Sequence, residues 1–269
     1  LPYSLQFLIF NYKALSIYRR RFKKNIFTKI YKNILIENKI NNLSEKKITN
    51  EKLKLFFLEA NNTKFWNNQF QKYDINLKSN NFFEEILKLP YLTKEEVKKN
   101  RQDIINHKFL KNHIKQNTSG TTGSGLFFPV TNYSESYTWA YWWFYRKKHG
   151  LKFNQPCAIF AGMSLFDLNK KKPPYWIYNL FTKQLRISTQ HINEKNIYCI
   201  SNAIRKSKIK WIHGNPSAIT HYAHLILNQK INHTPIKTVS IGAESLLEHQ
   251  VLVIKKAFNC NIIQHYGLS

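Results

Sequence analysis

Asn117 to Thr131 read NTSGTTGSGLFFPVT. Ser119, Thr121, Thr122 and Ser124 supply hydroxyl donors, while Gly120 and Gly123 let the backbone take positive φ and approach an anion closely. Such a loop can hold phosphate oxygens on N–H and O–H groups; a flexible Ser/Gly linker is the alternative its composition leaves open. Two self-contained phosphate sites are excluded. A P-loop needs Lys and Ser/Thr directly after its last glycine. Gly120 and Gly125 have that spacing, but Leu126 and Phe127 follow. The dinucleotide fingerprint G-x-G-x-x-G fails as well, because Gly120 is followed by Thr121 and Thr122.

Other residue types narrow the chemistry further. No Ser-His-Asp or Cys-His pattern proposes a covalent nucleophile. Cys157, Cys199 and Cys260 lie far apart with no CxxC pair, which speaks against a zinc site or a disulfide framework and for reduced thiols in a cytoplasmic protein. His213, His221, His224 and His265 read as structural, the weak His221-x-x-His224 pair being their sole metal-like spacing. The formal net charge is +27 with pI near 9.9. That excess fits an anionic partner, yet lysines are spread along the whole chain and no nucleic-acid-binding module accompanies them. The exception is YRRRFKK at 18–24, whose arginines read as a solvated helix face. No apolar run approaches the ~20 residues of a membrane span. The opening LPYSLQFLIF lacks the basic region and cleavage signal of a secretory leader. With 43% hydrophobic and 15% aromatic residues, the chain is globular.

These residues need elements to place them. Residues 1–115 read as mainly helical, with apolar residues at three- and four-residue steps in EKLKLFFLEANNTKFW. In FFEEILKLPYLTKEEVKKN, Pro90 separates two helices, and Thr93 caps the second with Glu96 three residues on. TNYSESYTWAYWWFYRKKHG reads as a buried helix, with capping-box spacing at Asn132 and Glu135 and a stop at Gly150. Beyond it, strands at 157–162, 209–214, 237–244 and 260–267 alternate with helices at 193–207, 216–229 and 246–258. That alternation predicts a parallel α/β sheet, whose ligands bind past the carboxyl ends of the strands. The segments there are GNPS, GAES and YGLS. The expected division is a helical region, 1–115, followed by an α/β core, 116–269.

TSGTTGSGL resembles the phosphate-binding loop of the adenylate-forming (AMP-binding) superfamily. It is joined in order by GAE at Gly242–Glu244 and YGLS at Tyr266–Ser269. GNPSAI and LPYLTKEEVKKN are similar to elements of the phenylacetate–CoA ligase and CapK-type branch, which includes coenzyme F synthetase-like proteins and proteins of capsular polysaccharide biosynthesis. The opening LPYSLQFLIFNYKALSIYRRRF also resembles that of CapK-type proteins, so the resemblance runs along essentially the whole chain.

The resemblance implies an ATP-dependent ligase that activates a carboxylate as acyl-AMP and passes it to a thiol, amine or hydroxyl. By that likeness Ser119, Gly120, Thr121, Thr122 and Gly123 hold the β- and γ-phosphates of ATP. Gly242, Ala243 and Glu244 line the adenine and ribose side, Tyr266 stacks on adenine beside Gly267, and Ser269 contacts the α-phosphate. Asn215, Pro216 and Ser217 sit near the carboxylate. Mg²⁺ is implied as a cofactor, and coenzyme A is an acceptor the family allows. The Mg²⁺-binding Glu, a ribose-binding Asp and a C-terminal domain with a catalytic Lys belong, in the family, after the position of Ser269. The sequence is therefore expected to be an N-terminal part of a ligase and inactive alone, with no catalytic or metal residue to name within it. A non-catalytic nucleotide- or anion-binding module and a basic nucleic-acid-binding protein stay as alternatives. The sequence leaves oligomeric state open.

Overall fold

The computed structural model of the chain describes residues 1–38, 42–111, 113–117, 125–161 and 164–265, and for Lys24 and residues 42–48 the backbone alone. Helices come first: α1 (Tyr3–Arg21), α2 (Lys24–Glu37), α3 (Asn42–Ala60), α4 (Lys64–Lys72), α5 (Phe82–Leu87), α6 (Lys94–Lys99) and α7 (Arg101–Ile104). A hairpin of β1 (His113–Asn117) and β2 (Phe127–Thr131) leads into α8 (Asn132–Lys148). Then follow β3 (Cys157–Phe160), β4 (Trp176–Asn179), β5 (Gln184–Ile187), α9 (Ile197–Lys206), β6 (Trp211–Gly214), α10 (Pro216–Asn228), β7 (Thr238–Ile241), α11 (Glu248–Phe258) and β8 (Asn261–Gln264). The chain forms two compact units, one of Leu1–Arg19 with Tyr145–Leu268, the other of Arg20–Phe144.

The first unit is built on a six-stranded sheet of order β4-β5-β3-β6-β7-β8. All neighbours are parallel except β4 and β5. Because strand side chains alternate, Ala158, Phe160, Leu185, Ile187, Ile212, Val239 and Ile241 share one face. They form a single core with Ile197, Ile200 and Ile204 of α9, Ile219, Tyr222 and Ile226 of α10, and Ile254 and Phe258 of α11. Each such large side chain, fully buried, contributes about 1.5–3 kcal/mol of transfer free energy. The three-and-four spacing of α9 turns one stripe inward. Pro216 opens α10, where its missing N–H costs nothing. Asn259, left-handed at φ 45°, closes α11.

The antiparallel β4–β5 pair is not marked in the sequence. Its turn is made by Asn179, whose side-chain oxygen accepts from Phe181 N and Thr182 N at 3.1 and 3.2 Å. Lys183 takes a positive φ of 52°. Asn11 of α1, itself buried, donates to Tyr178 O at 3.0 Å and accepts from Leu180 N at 2.9 Å.

In the second unit, α6 carries the Thr93–Glu96 capping box that the sequence predicts. The expected Asn132–Glu135 cap of α8 is not formed. Thr131 and Ser134 make the reciprocal bonds instead, each hydroxyl accepting from the other's N–H at 3.1 Å. Glu135 is buried and drawn to two guanidiniums: Arg20 Nε and Arg21 Nε both donate to it, the latter at 2.8 Å. The β1–β2 ladder runs from His113↔Thr131 to Asn117↔Phe127, so its last pair brackets the hydroxyl-rich stretch.

Candidate functional site

Because β6, β7 and β8 run parallel, their carboxyl ends share one edge of the sheet. Gly214 closes β6. A Cβ there would stand 2.0 Å from the carbonyl oxygen of Phe160, so glycine alone fits without moving β3. The next residue, Asn215, donates its N–H to that same oxygen at 2.9 Å and enters α10. Gly242 leaves β7 with its N–H on Gly214 O at 3.3 Å. A Cβ on Gly242 would meet the His265 ring at 2.4 Å, so its bare Cα makes room for that imidazole. Ala243 then takes φ 72°, a region L-residues occupy at a cost.

The turn delivers Glu244 to the start of α10. One of its oxygens accepts from Asn215 Nδ2 at 2.9 Å, the other from the Ser217 N–H at 3.3 Å. Glu244 thus caps a helix far from its own sequence neighbours, filling the place Asn215 leaves, since Asn215 makes no side-chain cap bond. Partial burial raises the carboxyl's pKa, but the bonds from Ser217 and Asn215 outweigh it and hold Glu244 below the usual carboxylate range. Asn215, Pro216, Ser217, Gly242, Ala243 and Glu244 are accordingly one connected group. Ser119, Gly120, Thr121, Thr122, Gly123, Tyr266, Gly267 and Ser269 lie outside the described residues.

Beneath this turn the other face of the sheet is polar. Trp211 Nε1 donates to Ser240 Oγ at 2.8 Å, and His213 Nδ1 lies 2.9 Å from the same oxygen. The rings of His213 and His265 stack with centroids 5.7 Å apart. The buried Arg146 guanidinium lies 5.1 Å over Trp211. Burial, then the Arg146 charge, push His213 down to about 3 and His265 to about 4. Both imidazoles are therefore neutral near pH 7 and act as packed supports. Tyr145 donates its hydroxyl to Gln264 O at 2.5 Å, fixing the end of β8. Burial pushes Cys157 up to about 12, an unreactive thiol.

Sequence reading missed Tyr145, Arg146 and Ser240 as supports of the site. The two-residue step from Trp211 to His213, which places them on one face, was the available signal. The Nε2 of His221, read as structural, lies 3.0 Å from Ile192 O. No group of three or more His, Cys, Asp or Glu able to hold a metal occurs among the described residues. A groove of about 910 Å³ flanks β8, lined by Val251, Lys255, Cys260 and Ile263 among others. It follows the length of the strand, whereas the motif residues gather at the carboxyl ends.

The described chain has the fold of the adenylate-forming enzymes, an α/β arrangement on a mostly parallel sheet. The solved structures it matches include those of 2-hydroxyisobutyryl-CoA ligase. An open conformation in complex with 2-HIB-AMP and CoA aligns with TM-score 0.59 and 12% identity over 85% of this chain and 55% of that one. The thioesterification state aligns with TM-score 0.58 and 13% identity over 84% and 49%. The postadenylation state with 2-HIB-AMP gives TM-score 0.58 and 13% identity over 85% and 50%. This chain thus spans about half the length of the structures it matches. No family model matches it, and no curated protein does.

Proposed function

We propose that the chain is the nucleotide- and carboxylate-binding part of an ATP-dependent adenylate-forming ligase. The observation that carries this reading is the strand-end group in which Glu244 ties the Gly242–Glu244 turn to Asn215 and Ser217. It stands where α/β sheets bind ligands, on a fold shared with a ligase that binds an acyl-AMP. In the reaction class, a carboxylate oxygen attacks the α-phosphorus of ATP. The bond to the bridging oxygen breaks, and pyrophosphate leaves with the electron pair. A thiol, amine or hydroxyl then takes the acyl group and releases AMP.

Within that reading, Ser119–Gly123 hold the β- and γ-phosphates through N–H and hydroxyl donors. Gly242, Ala243 and Glu244 border the adenosine, with Tyr266, Gly267 and Ser269 completing the nucleotide contacts. Ala243 and Glu244 are exposed at this turn, and the negative charge of Glu244 suits a neutral nucleoside rather than its phosphates. Asn215–Ser217 border the carboxylate. Mg²⁺ neutralises phosphate charge in such reactions; no described residue is assigned to it. The likeness of GNPSAI and LPYLTKEEVKKN narrows the class to the phenylacetate–CoA ligase and CapK-type branch. That makes coenzyme A one acceptor and surface-polysaccharide synthesis one setting, in a cytoplasmic protein.

The test is carboxylate-dependent ATP–pyrophosphate exchange by the full-length protein that carries this chain, across aliphatic, aromatic and hydroxy acids. Exchange with at least one acid is expected. Folded protein without exchange on any acid would sink the ligase reading, and ATP binding retained under those conditions would leave a nucleotide-binding module.

A further inference from the structure

α1 is apolar on two sides, and the packing of its unit accounts for one of them. Its inner side is fixed by Asn11 on Tyr178 O and Leu180 N, by buried Ala14, and by Tyr3 and Tyr18 against Phe166 and Phe181. The outer side presents Leu1, Leu5, Leu8, Ile9 and Tyr12, with Leu8 64% and Tyr12 79% exposed. The steps of four, three and four between Leu1, Leu5, Leu8 and Tyr12 set them in one stripe along the helix. A contiguous apolar stripe of this kind marks a surface that something covers.

Charge selects the occupant. No Asp or Glu occurs among residues 1–36, and exposed Lys13 and Arg19 lie on the same helix. Two copies meeting stripe to stripe would bring like charge together, whereas an anionic bilayer attracts the bases and takes up the apolar side chains. No described helix is long and apolar enough to cross a membrane, so attachment is to the surface. We propose that the outer stripe of α1, Leu1 to Tyr12 with Lys13 and Arg19, docks the protein on an anionic lipid surface, Leu and Tyr side chains entering the headgroup layer.

The experiment is co-sedimentation of the 269-residue chain with vesicles of phosphatidylcholine alone or mixed with phosphatidylglycerol. Binding is expected to rise with the anionic fraction and to fall with salt. Replacing Lys13 and Arg19 by Gln should weaken it about 30-fold, at about fivefold per charge. The triple change Leu5→Ser, Leu8→Ser, Tyr12→Ser should weaken it at least about tenfold. Because these side chains are exposed, both variants should keep the parent's unfolding temperature. The proposal is overturned by absent binding to anionic vesicles at low salt, by equal binding to neutral and anionic vesicles, or by binding that neither variant changes. It is equally overturned if analytical ultracentrifugation shows a dimer that the triple variant dissolves, since a second copy then covers the stripe.

Discussion

Glu244 shows why a motif residue needs its surroundings before it has a role. In the sequence it is the acidic end of GAE; in the structure it is a positioning residue that caps α10 through Ser217 and holds the side chain of Asn215. Glu244→Ala should cost about 1 kcal/mol of stability, the usual loss of a helix cap, read by urea unfolding. Full stability in that variant would show the cap to be idle. His213 and His265 give a pH signature. Their folded values of about 3 and 4 lie below the ordinary 6.5, so between those limits the unfolded chain binds more protons. Stability therefore rises with pH across that window and falls on acidification through it. His213→Gln should flatten the dependence of unfolding temperature on pH between about 6.5 and 4. An unchanged slope would show that His213 does not titrate as its burial requires. That GNPS and GAE follow strands was legible, because the alternation of strand and helix periods places them at strand ends. Tyr145 and Arg146 were not, since what they support is reached only when a helix end meets strands more than sixty residues later.

Among the elements, the alternating half was the most readable. Strands β3, β6, β7 and β8 and helices α9, α10 and α11 fall within the segments expected, because each buries a face whose period is visible in sequence. The β4–β5 pair escaped notice because its turn uses Asn179 and Lys183 rather than glycine, so no turn signal separates the two strands. The start of α8 was misjudged for an electrostatic reason. Glu135 is worth more between Arg20 and Arg21 than on a helix N-terminus, so Thr131 and Ser134 take over the cap. Burial opposes ionisation of Glu135, and the two guanidiniums overcome it, holding its pKa below the ordinary value. Glu135→Ala leaves two arginines facing a gap and should destabilise the fold by about 3 kcal/mol. A loss under about 1 kcal/mol, the worth of a surface pair, would contradict a buried Glu135 held by two partly exposed arginines.

For the whole molecule, net charge by itself selects no partner. The +27 arises from lysines distributed over the chain, while what distinguishes a surface is where apolar and basic residues coincide, as on α1. The parallel sheet, by contrast, was predictable as a class and is the feature that the solved ligase structures share. The central claim is that the edge formed by β6, β7 and β8 binds the adenosine of ATP. It is tested most directly by calorimetric titration of the folded 269-residue chain with ATP and Mg²⁺, beside Gly242→Ala, whose added Cβ would displace His265. Saturable binding that weakens in the variant is the predicted result. Absence of saturable binding by the folded parent, or equal binding by both proteins, would contradict it.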